Sequence, residues 1–108
     1  MKKMKFRSNN CVAIHLKDLN GAAKFYGEVL GFKLRSKSRR QLVFETGHFL
    51  LYVNKARKVQ PPVPSFSVKN LKDARRLLKE NGCRIVADWG GALYFKDPFG
   101  VVFDVIED

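Results

Sequence analysis

Cysteine is scarce in this chain of 108 residues, which contains only Cys11 and Cys83. Their separation matches no zinc-type spacing, and so few cysteines exclude a disulfide-dense secreted scaffold. No stretch approaches the roughly 20 apolar residues that a membrane helix needs. No apolar run follows the basic first residues, so a secretory signal is not expected either. These absences together favour a cytoplasmic protein that does not enter a membrane.

Acidic residues are also few, with Asp plus Glu at 10 against Lys plus Arg at 21, a net charge of +11. This balance disfavours cationic ligands and attracts anions, from carboxylate metabolites to nucleic acid. The alternative is a solvated basic surface that keeps the protein soluble. The basic side chains form three main clusters: Lys2, Lys3 and Lys5; Lys33, Arg35, Lys37, Arg39 and Arg40; and Lys55, Arg57 and Lys58.

What the sequence does contain is one pattern that occurs twice. In each copy a strand-like run leads into a helix-like segment, a glycine closes that segment, and three more strand-like runs follow. The copies start with residues 12–19 and 64–71, which lead into helical segments at 22–30 and 74–78. The repeat predicts an α+β fold with two βαβββ modules in tandem, whose curved mixed sheets enclose a cleft. We expect a single domain over 1–108, with repeat 1 at about 9–58 and repeat 2 at about 63–108.

Periodicity and turn residues predict the individual elements. Asn20 is the expected N-cap of the first helix, and Asn70 with Asp73 resembles a capping box for the second. The stretch from Gln60 to Pro64 is expected to be a linker between the repeats. The predicted strands are 11–17, 32–38, 41–45, 49–53, 63–68, 84–88, 92–96 and 101–106; the predicted helices are 22–30 and 71–78.

Strand alternation predicts which side chains face away from the helices and into the cleft. In the first strand of each repeat these are Cys11, Ala13 and His15, and Val63, Ser65 and Ser67. In the last strand of repeat 1, alternation places Phe49, Leu51 and Val53 together on one face. In the last strand of repeat 2, it places Val102, Asp104 and Ile106 together on one face. A mostly apolar cleft with a few polar anchors suits a small organic ligand. The candidate ligand-binding residues are Cys11, His15, Ser65, Ser67, Trp89, Tyr94 and Asp104.

Several of these residues have a second interpretation. Cys11 is also read as a small hydrophobic residue of the sheet, and His15 as a surface residue at a strand end. Asp104 is the best candidate for a catalytic carboxylate, but an ion pair with a nearby Lys or Arg is favoured slightly over that role. Trp89 is expected to cap the cleft mouth or to cover the edge of the core. Tyr94 is expected to contact the ligand or to fill space.

The order of motifs resembles the vicinal oxygen chelate superfamily, which holds glyoxalase I, bleomycin-resistance, fosfomycin-resistance and extradiol dioxygenase proteins. The resemblance covers nearly the whole chain. It is carried by Val12-Ala13-Ile14-x-Leu16-Lys17-Asp18-Leu19, Phe25-Tyr26-x-x-Val29-Leu30-Gly31-Phe32 and Tyr94-Phe95-x-Asp97-Pro98-x-Gly100. The first and last of these motifs together are specific for the fold, but they are weak for function, because the fold hosts isomerases, transferases, dioxygenases and pure binders.

The resemblance also implies where a metal would be held in metal-using members. The positions that match the usual ligands carry Cys11, Leu51, Val63 and Asp104 in this chain. Leucine and valine cannot bind a divalent cation, and sites of this kind need three or more protein ligands. His15 lies about 13 Å along the strand from Cys11, too far to join the same ligand set easily. We therefore expect no cofactor, with Cys11 and Asp104 as weak candidates should a divalent metal bind.

Three functions remain open. The leading one is a metal-free superfamily member that binds a small anionic or aromatic molecule in the cleft. The first alternative is a metal-dependent lyase, isomerase or transferase of the same superfamily, so enzymatic activity of lyase or dioxygenase type stays undecided. The second alternative is a non-specific nucleic-acid binder. Against it, the chain lacks the aromatic sheet-face motif of RNA-recognition domains and a basic recognition helix.

Assembly follows from the resemblance and from strand edges. In this superfamily a short chain is expected to complete its cleft by pairing with a second copy. Strand edges left exposed by one chain favour the same arrangement. A homodimer with a small-molecule ligand is therefore predicted, without a membrane partner.

Overall fold

The computed structural model describes residues 4–108. The chain forms two compact units, each with its own core. The N-terminal unit is Asn10–Val63, and the C-terminal unit combines Pro64–Asp108 with residues 4–9. The strands are β1 Arg7–Leu16, β2 Lys33–Lys37, β3 Gln41–Glu45, β4 Leu50–Lys55, β5 Gln60–Val68, β6 Arg84–Asp88, β7 Ala92–Lys96 and β8 Val102–Glu107; the helices are α1 Leu19–Ala22, a π-helix Ala23–Val29 and α2 Leu71–Glu80.

The two units share one strand order, which confirms the α+β class and the duplicated pattern predicted from the sequence. The N-terminal unit has the order β2-β3-β4-β1, and the C-terminal unit has β6-β7-β8-β5. In each, the first strand of the unit pairs parallel with the last, and the remaining pairs are antiparallel. Even the irregularities repeat, because β2 shifts register between Leu34 and Ser36 and β6 between Ile85 and Ala87.

Each core lies between a sheet and its helix. In the C-terminal unit α2 packs on the sheet through Leu71, Ala74 and Leu78, against strand residues that include Leu93 and Val105. These strand positions alternate with residues of the opposite face, which include the polar Tyr94 and Asp104. The buried core of the N-terminal unit consists of Ala22, Leu42, Phe44, Leu51 and Val53.

The second helix follows the prediction closely. Asn70 caps α2, because its side-chain oxygen accepts a hydrogen bond of 2.9 Å from the backbone N–H of Asp73. This bond satisfies one of the free donors of the first turn. The carboxylate of Glu107 accepts a second bond, of 2.7 Å, from the N–H of Leu71. The start of α2 is therefore held from both its own loop and strand β8.

The first helix differs from the prediction. It starts at Leu19 and is capped by Asp18, whose carboxylate accepts a 2.8 Å bond from the N–H of Gly21. The expected cap, Asn20, lies inside the helix. A side chain at Gly21 would overlap the Asp18 carboxylate, so this cap needs glycine three residues later. From Ala23 the helix widens into a π-helix, and the N–H of Leu30 bonds to the carbonyl of Phe25 five residues back.

The predicted linker is also wrong. Gln60 to Pro64 is part of β5, which starts at Gln60 rather than at residue 63. Pro61 and Pro62 are exposed, and proline is tolerated in a strand where its missing N–H would not join a ladder. Strand β1 likewise starts earlier than expected, at Arg7, and this brings Asn9 into the sheet. That extension adds a residue to the candidate site.

Candidate functional site

A row of polar side chains crosses the sheet face of the C-terminal unit that lies opposite α2. Ser65 on β5 lies opposite Asp104 on β8, and Asp104 lies opposite Tyr94 on β7. Residues directly opposite in neighbouring strands share a face, so these three side chains stand next to one another. The residues that follow them, including Val105 and Phe95, belong to the core beneath α2. Alternation thus separates a polar surface from an apolar one within the same strands.

Hydrogen bonds connect this row into a network. The amide Nδ2 of Asn9 donates to the hydroxyls of Ser65 and Ser67, at 2.9 and 3.2 Å. The Ser65 hydroxyl donates in turn to Oδ2 of Asp104 at 3.0 Å. Both serines are buried, at 6% and 7% exposure. Buried hydroxyls are stabilising only when they are bonded. The Ser65 hydroxyl is held between an amide and a carboxylate, and the Ser67 hydroxyl accepts from the same amide.

Asp104 is the chemically distinctive member of the network. Its Oδ2 accepts from Ser65, whereas its Oδ1 is buried and has no hydrogen-bond partner among the described residues. Burial raises the pKa of the Asp104 carboxyl, and the hydrogen bond from Ser65 partly opposes this. The ion pair favoured from the sequence is not found, because the ion pairs within residues 4–108 join Arg35 to Glu45 and Arg75 to Asp88. Asp104 is instead a buried acceptor, and one of its two carboxyl oxygens has no hydrogen-bond donor among the described residues.

Tyr94 and Trp89 add an aromatic wall next to the carboxyl group. Their rings meet edge to face, with centroids 4.6 Å apart. Burial and the neighbouring Asp104 carboxylate raise the pKa of the Tyr94 phenol to about 12, so the phenol stays protonated at neutral pH. Trp89 is 62% exposed and presents most of its ring to solvent. The site therefore combines a buried polar end with an exposed aromatic side.

The N-terminal unit carries Cys11 and His15, the other two predicted site residues. Cys11 hydrogen-bonds to the Tyr52 hydroxyl, and burial together with this thiol raises the pKa of the Tyr52 phenol, while Arg35 opposes the rise. His15 lies opposite Asn54 in the register, and burial lowers its pKa. A neutral imidazole at pH 7 is a hydrogen-bonding group rather than a cationic anchor.

The face assigned to the last strand of the first repeat is wrong. Leu51 and Val53 are buried in the core with the helix, at 7% and 0% exposure. Tyr52, which lies between them, is opposite Ala13 and shares its face. By register, Tyr52 holds the place in this unit that Asp104 holds in the other. The resemblance had matched Leu51 to that place, one residue away along the strand, and such a shift reverses the face.

Sequence reasoning missed two residues of these faces. Asn9 was excluded because the first strand was expected to start at residue 11. Tyr52 was excluded by the one-residue shift in β4. A signal for Tyr52 was present, since the strand reads Leu51-Tyr52-Val53-Asn54 and its apolar residues alternate with polar ones. The two site-bearing faces belong to different units: Ser65, Ser67, Trp89, Tyr94 and Asp104 in the C-terminal unit, Cys11 and His15 in the N-terminal unit.

The side chains present do not fit a divalent metal of the kind the superfamily fold implies. Within residues 4–108, no group of three or more His, Cys, Asp or Glu side chains is arranged to hold a metal ion. The network around Asp104 offers one carboxylate, two serine hydroxyls and an amide. Zinc, manganese and iron sites in proteins use three or more imidazole, thiolate or carboxylate ligands. We therefore derive no chemical step through a metal.

Comparison with known proteins places the chain in a family. A family model for the Glyoxalase/Bleomycin resistance protein/Dioxygenase superfamily matches residues 10–105. The chain belongs to this superfamily. Comparison with curated proteins gave no match. No helix among the described residues is long and apolar enough to cross a membrane.

Solved structures show the same fold at low sequence identity. An extradiol ring-cleaving dioxygenase from B. fuscum has a TM-score of 0.76 at 21% identity, and the match covers 97% of this chain and 33% of that one. A Mn(II)-bound glyoxalase from Novosphingobium aromaticivorans has a TM-score of 0.72 at 19% identity, with 98% and 40% covered. The chain thus spans about a third of the first of these proteins, and the likeness establishes the fold alone.

Proposed function

We propose that this protein binds a small aromatic molecule on the polar sheet face of the C-terminal unit, without a metal ion. The observation that carries the proposal is Oδ1 of Asp104, buried and without a hydrogen-bond partner among the described residues. Leaving a buried acceptor unpaired costs about 1–3 kcal/mol. A ligand hydroxyl or amino group that donates to this oxygen would recover that free energy. The site therefore selects a molecule with a hydrogen-bond donor.

The aromatic character of the ligand follows from the residues beside the carboxyl group. Tyr94 neighbours Asp104 in the register, and Trp89 contacts Tyr94 edge to face. Aromatic side chains bind planar rings by offset or edge-to-face contact, contributing about 0.5–1.5 kcal/mol per pair beyond their area. The net charge of +11 favours a ligand that also carries an acidic substituent, directed away from Asp104.

Titration of matched ligands tests this proposal. Because Oδ1 of Asp104 is buried, a ligand must displace a neighbouring side chain to reach it. Trp89 contacts Tyr94 beside this carboxyl group and is the single tryptophan of the chain, so its fluorescence reports on the site. We expect 4-hydroxybenzoate to change the Trp89 fluorescence and to bind more tightly than benzoate, which lacks the donor. One recovered hydrogen bond corresponds to about a tenfold difference in Kd.

Two variants locate the effect. Asp104→Asn should remove the preference for 4-hydroxybenzoate, because the amide supplies one acceptor fewer than the carboxylate. Asp73→Asn makes the same charge change on an exposed residue of α2 in the same unit and should leave the preference unchanged. Equal affinities of the two ligands for the unsubstituted protein would contradict the proposal. An equal loss in both variants would also count against it.

A metal-dependent activity is the alternative that the donor set disfavours. Melting temperatures with and without Mn²⁺ or Zn²⁺ distinguish the two, because a ligand that binds only the folded state raises the melting temperature. We expect no increase. An increase that Asp104→Ala abolishes would replace the present proposal with a metal site built on that carboxylate.

Assembly and location complete the proposal. We expect both units to form a single domain, since one family model spans residues 10–105. A homodimer is expected because β2 and β6 are the outer strands of their units and each leaves a backbone edge unpaired within its unit. Light scattering at micromolar concentration should give twice the mass of the chain, and a monomer would exclude the dimer. Neither Cys11 nor Cys83 forms a disulfide in the part of the chain that the structure describes, which suits the reducing cytoplasm.

A further inference from the structure

The fold gathers basic residues from three separate segments at one end of the N-terminal sheet. The turn between β2 and β3 carries Arg39 and Arg40, and the backbone N–H of Lys55 on β4 bonds to the carbonyl of Arg40 at 2.8 Å. Lys55 is opposite Leu16 at the end of β1, and its Nζ reaches the carbonyl of Lys17 at 3.5 Å. We call this surface the basic end and define it as Lys17, Lys37, Arg39, Arg40 and Lys55, all of which are exposed.

Few carboxylates in the N-terminal unit are available to neutralise these cations. The acidic residues of the N-terminal unit are Asp18, Glu28 and Glu45. Glu45 pairs with Arg35, and Asp18 accepts the helix-capping bond from Gly21. Asp18 follows Lys17 directly and is the acidic residue closest in sequence to the basic end. The two ion pairs within residues 4–108 involve none of the five cations.

A groove of about 390 Å³ enters the basic end between α1 and the β2–β3 turn. Lys37 and Arg39 line it with the polar Ser38 and Asn20. Its apolar lining is Leu19 and Leu42, and Leu42 is only 1% exposed. The groove therefore combines cationic and hydrogen-bonding groups with an apolar lining.

We propose that the basic end is a binding surface for the phosphate backbone of double-stranded nucleic acid, independent of its base sequence. Four strand ends about 4.8 Å apart give the surface a width of about 14 Å. Duplex DNA carries one charge per about 1.7 Å of axis with both strands counted, so about eight phosphates lie along this width, and those on the near side face the surface. None of the five residues is aromatic, so base stacking on single strands is not supplied. The absence of a recognition helix restricts the surface to backbone contacts and is consistent with this partner.

The salt dependence of binding tests the proposal. Fluorescence anisotropy of a labelled DNA duplex with the full chain should give log K falling with log salt concentration at a slope of about −4.5, since each of the five cations neutralises one phosphate and contributes about −0.9. Arg39→Gln/Arg40→Gln should reduce the magnitude of this slope by about 2 and weaken binding at low salt. Duplexes of scrambled sequence should bind equally well, and a single strand of equal length more weakly.

A variant with the same charge loss elsewhere is the matched control. Lys72→Gln/Arg76→Gln removes two exposed cations from α2 in the C-terminal unit. It should leave the slope unchanged. An equal reduction in both double variants would show that the total charge and not this surface attracts the duplex, and would overturn the proposal. Absence of binding at 50 mM salt, or tighter binding to phosphatidylserine vesicles than to the duplex with loss in Arg39→Gln/Arg40→Gln, would also overturn it.

Discussion

Ser65→Ala is the most informative single change to the candidate site. The Ser65 side chain is buried at 6% exposure, accepts a bond of 2.9 Å from Asn9 and donates one of 3.0 Å to Asp104. Removing its hydroxyl takes the only described hydrogen bond from the Asp104 carboxyl, because Oδ1 already lacks a partner. The variant thus leaves both carboxyl oxygens without a protein donor.

The size of the effect follows from these two bonds. A buried acceptor left unpaired costs about 1–3 kcal/mol, and the change from serine to alanine removes little volume. The bond from Asn9 adds little to this loss, because Asn9 can still donate to Ser67 at 3.2 Å. We expect the free energy of unfolding to fall by about 2 kcal/mol. For a domain of this length that corresponds to a melting temperature lower by roughly 8–16 °C.

Urea denaturation followed by far-ultraviolet circular dichroism measures this change, and Ser67→Ala is its control. Ser67 is equally buried and accepts from Asn9, but it makes no described bond to Asp104. Its replacement should cost about 1 kcal/mol or less. In an Asp104→Val background, Ser65→Ala should also cost no more than about 1 kcal/mol, because the carboxyl group that needed the hydroxyl is gone.

Equal losses of unfolding free energy in Ser65→Ala and Ser67→Ala would contradict this prediction. So would effects of Ser65→Ala and Asp104→Val that add within about 0.3–0.5 kcal/mol, since residues that share a bond are expected to couple. Either result would mean that the Ser65 hydroxyl does not hold the carboxyl in place. The proposed orientation of Oδ1 toward a ligand would then lose its support.

Two further predictions concern pH and the first helix. Burial raises the pKa of Asp104 above its ordinary 3.8, so the folded state keeps this proton to higher pH than the unfolded chain does. The free energy of unfolding should therefore fall as pH rises from 3.8 through the raised pKa. Asp104→Asn should remove this fall in urea denaturation over that pH range, and parallel curves for the two proteins would contradict the pKa shift. Gly21→Ala should cost about 1 kcal/mol in thermal unfolding, because the new side chain displaces the Asp18 cap. Gly27→Ala, whose side chain would meet only Phe44 at 3.5 Å, should cost clearly less, and equal losses would be evidence against the cap.

Local patterns were sufficient where a short segment decides its own structure. Strands β3, β6 and β7 have the predicted bounds, because two-residue alternation ends at glycine or polar turns. The cap at Asn70 was found because one side chain and one backbone N–H three residues later make the whole contact. The N-cap of the first helix was predicted wrongly for a related reason. Both Asp18 and Asn20 are good caps, and only the backbone path, with Gly21 against Asp18, selects the former.

Faces and partners across strands could not be read in the same way. The sheet face on which Tyr52 lies depends on the register of β4 against β1, and a one-residue shift would place Tyr52 on the opposite face. The role of Asn9 depends on β1 starting at Arg7, and its two bonds join residues 56 and 58 positions apart. In the basic end, Lys55 donates its backbone N–H to the carbonyl of Arg40 and its Nζ to the carbonyl of Lys17. Such contacts arise from sheet pairing, and sequence distance does not predict them.

The sequence by itself determined the duplicated strand-helix-strand-strand-strand pattern, the α+β class and the basic charge, because hydrophobic periodicity, turn residues and composition are local properties of the chain. Only the tertiary structure decided which polar side chains meet. A buried carboxyl such as Asp104 acquires its raised pKa and its open oxygen from residues on neighbouring strands, since desolvation and hydrogen bonding depend on what the fold packs around it.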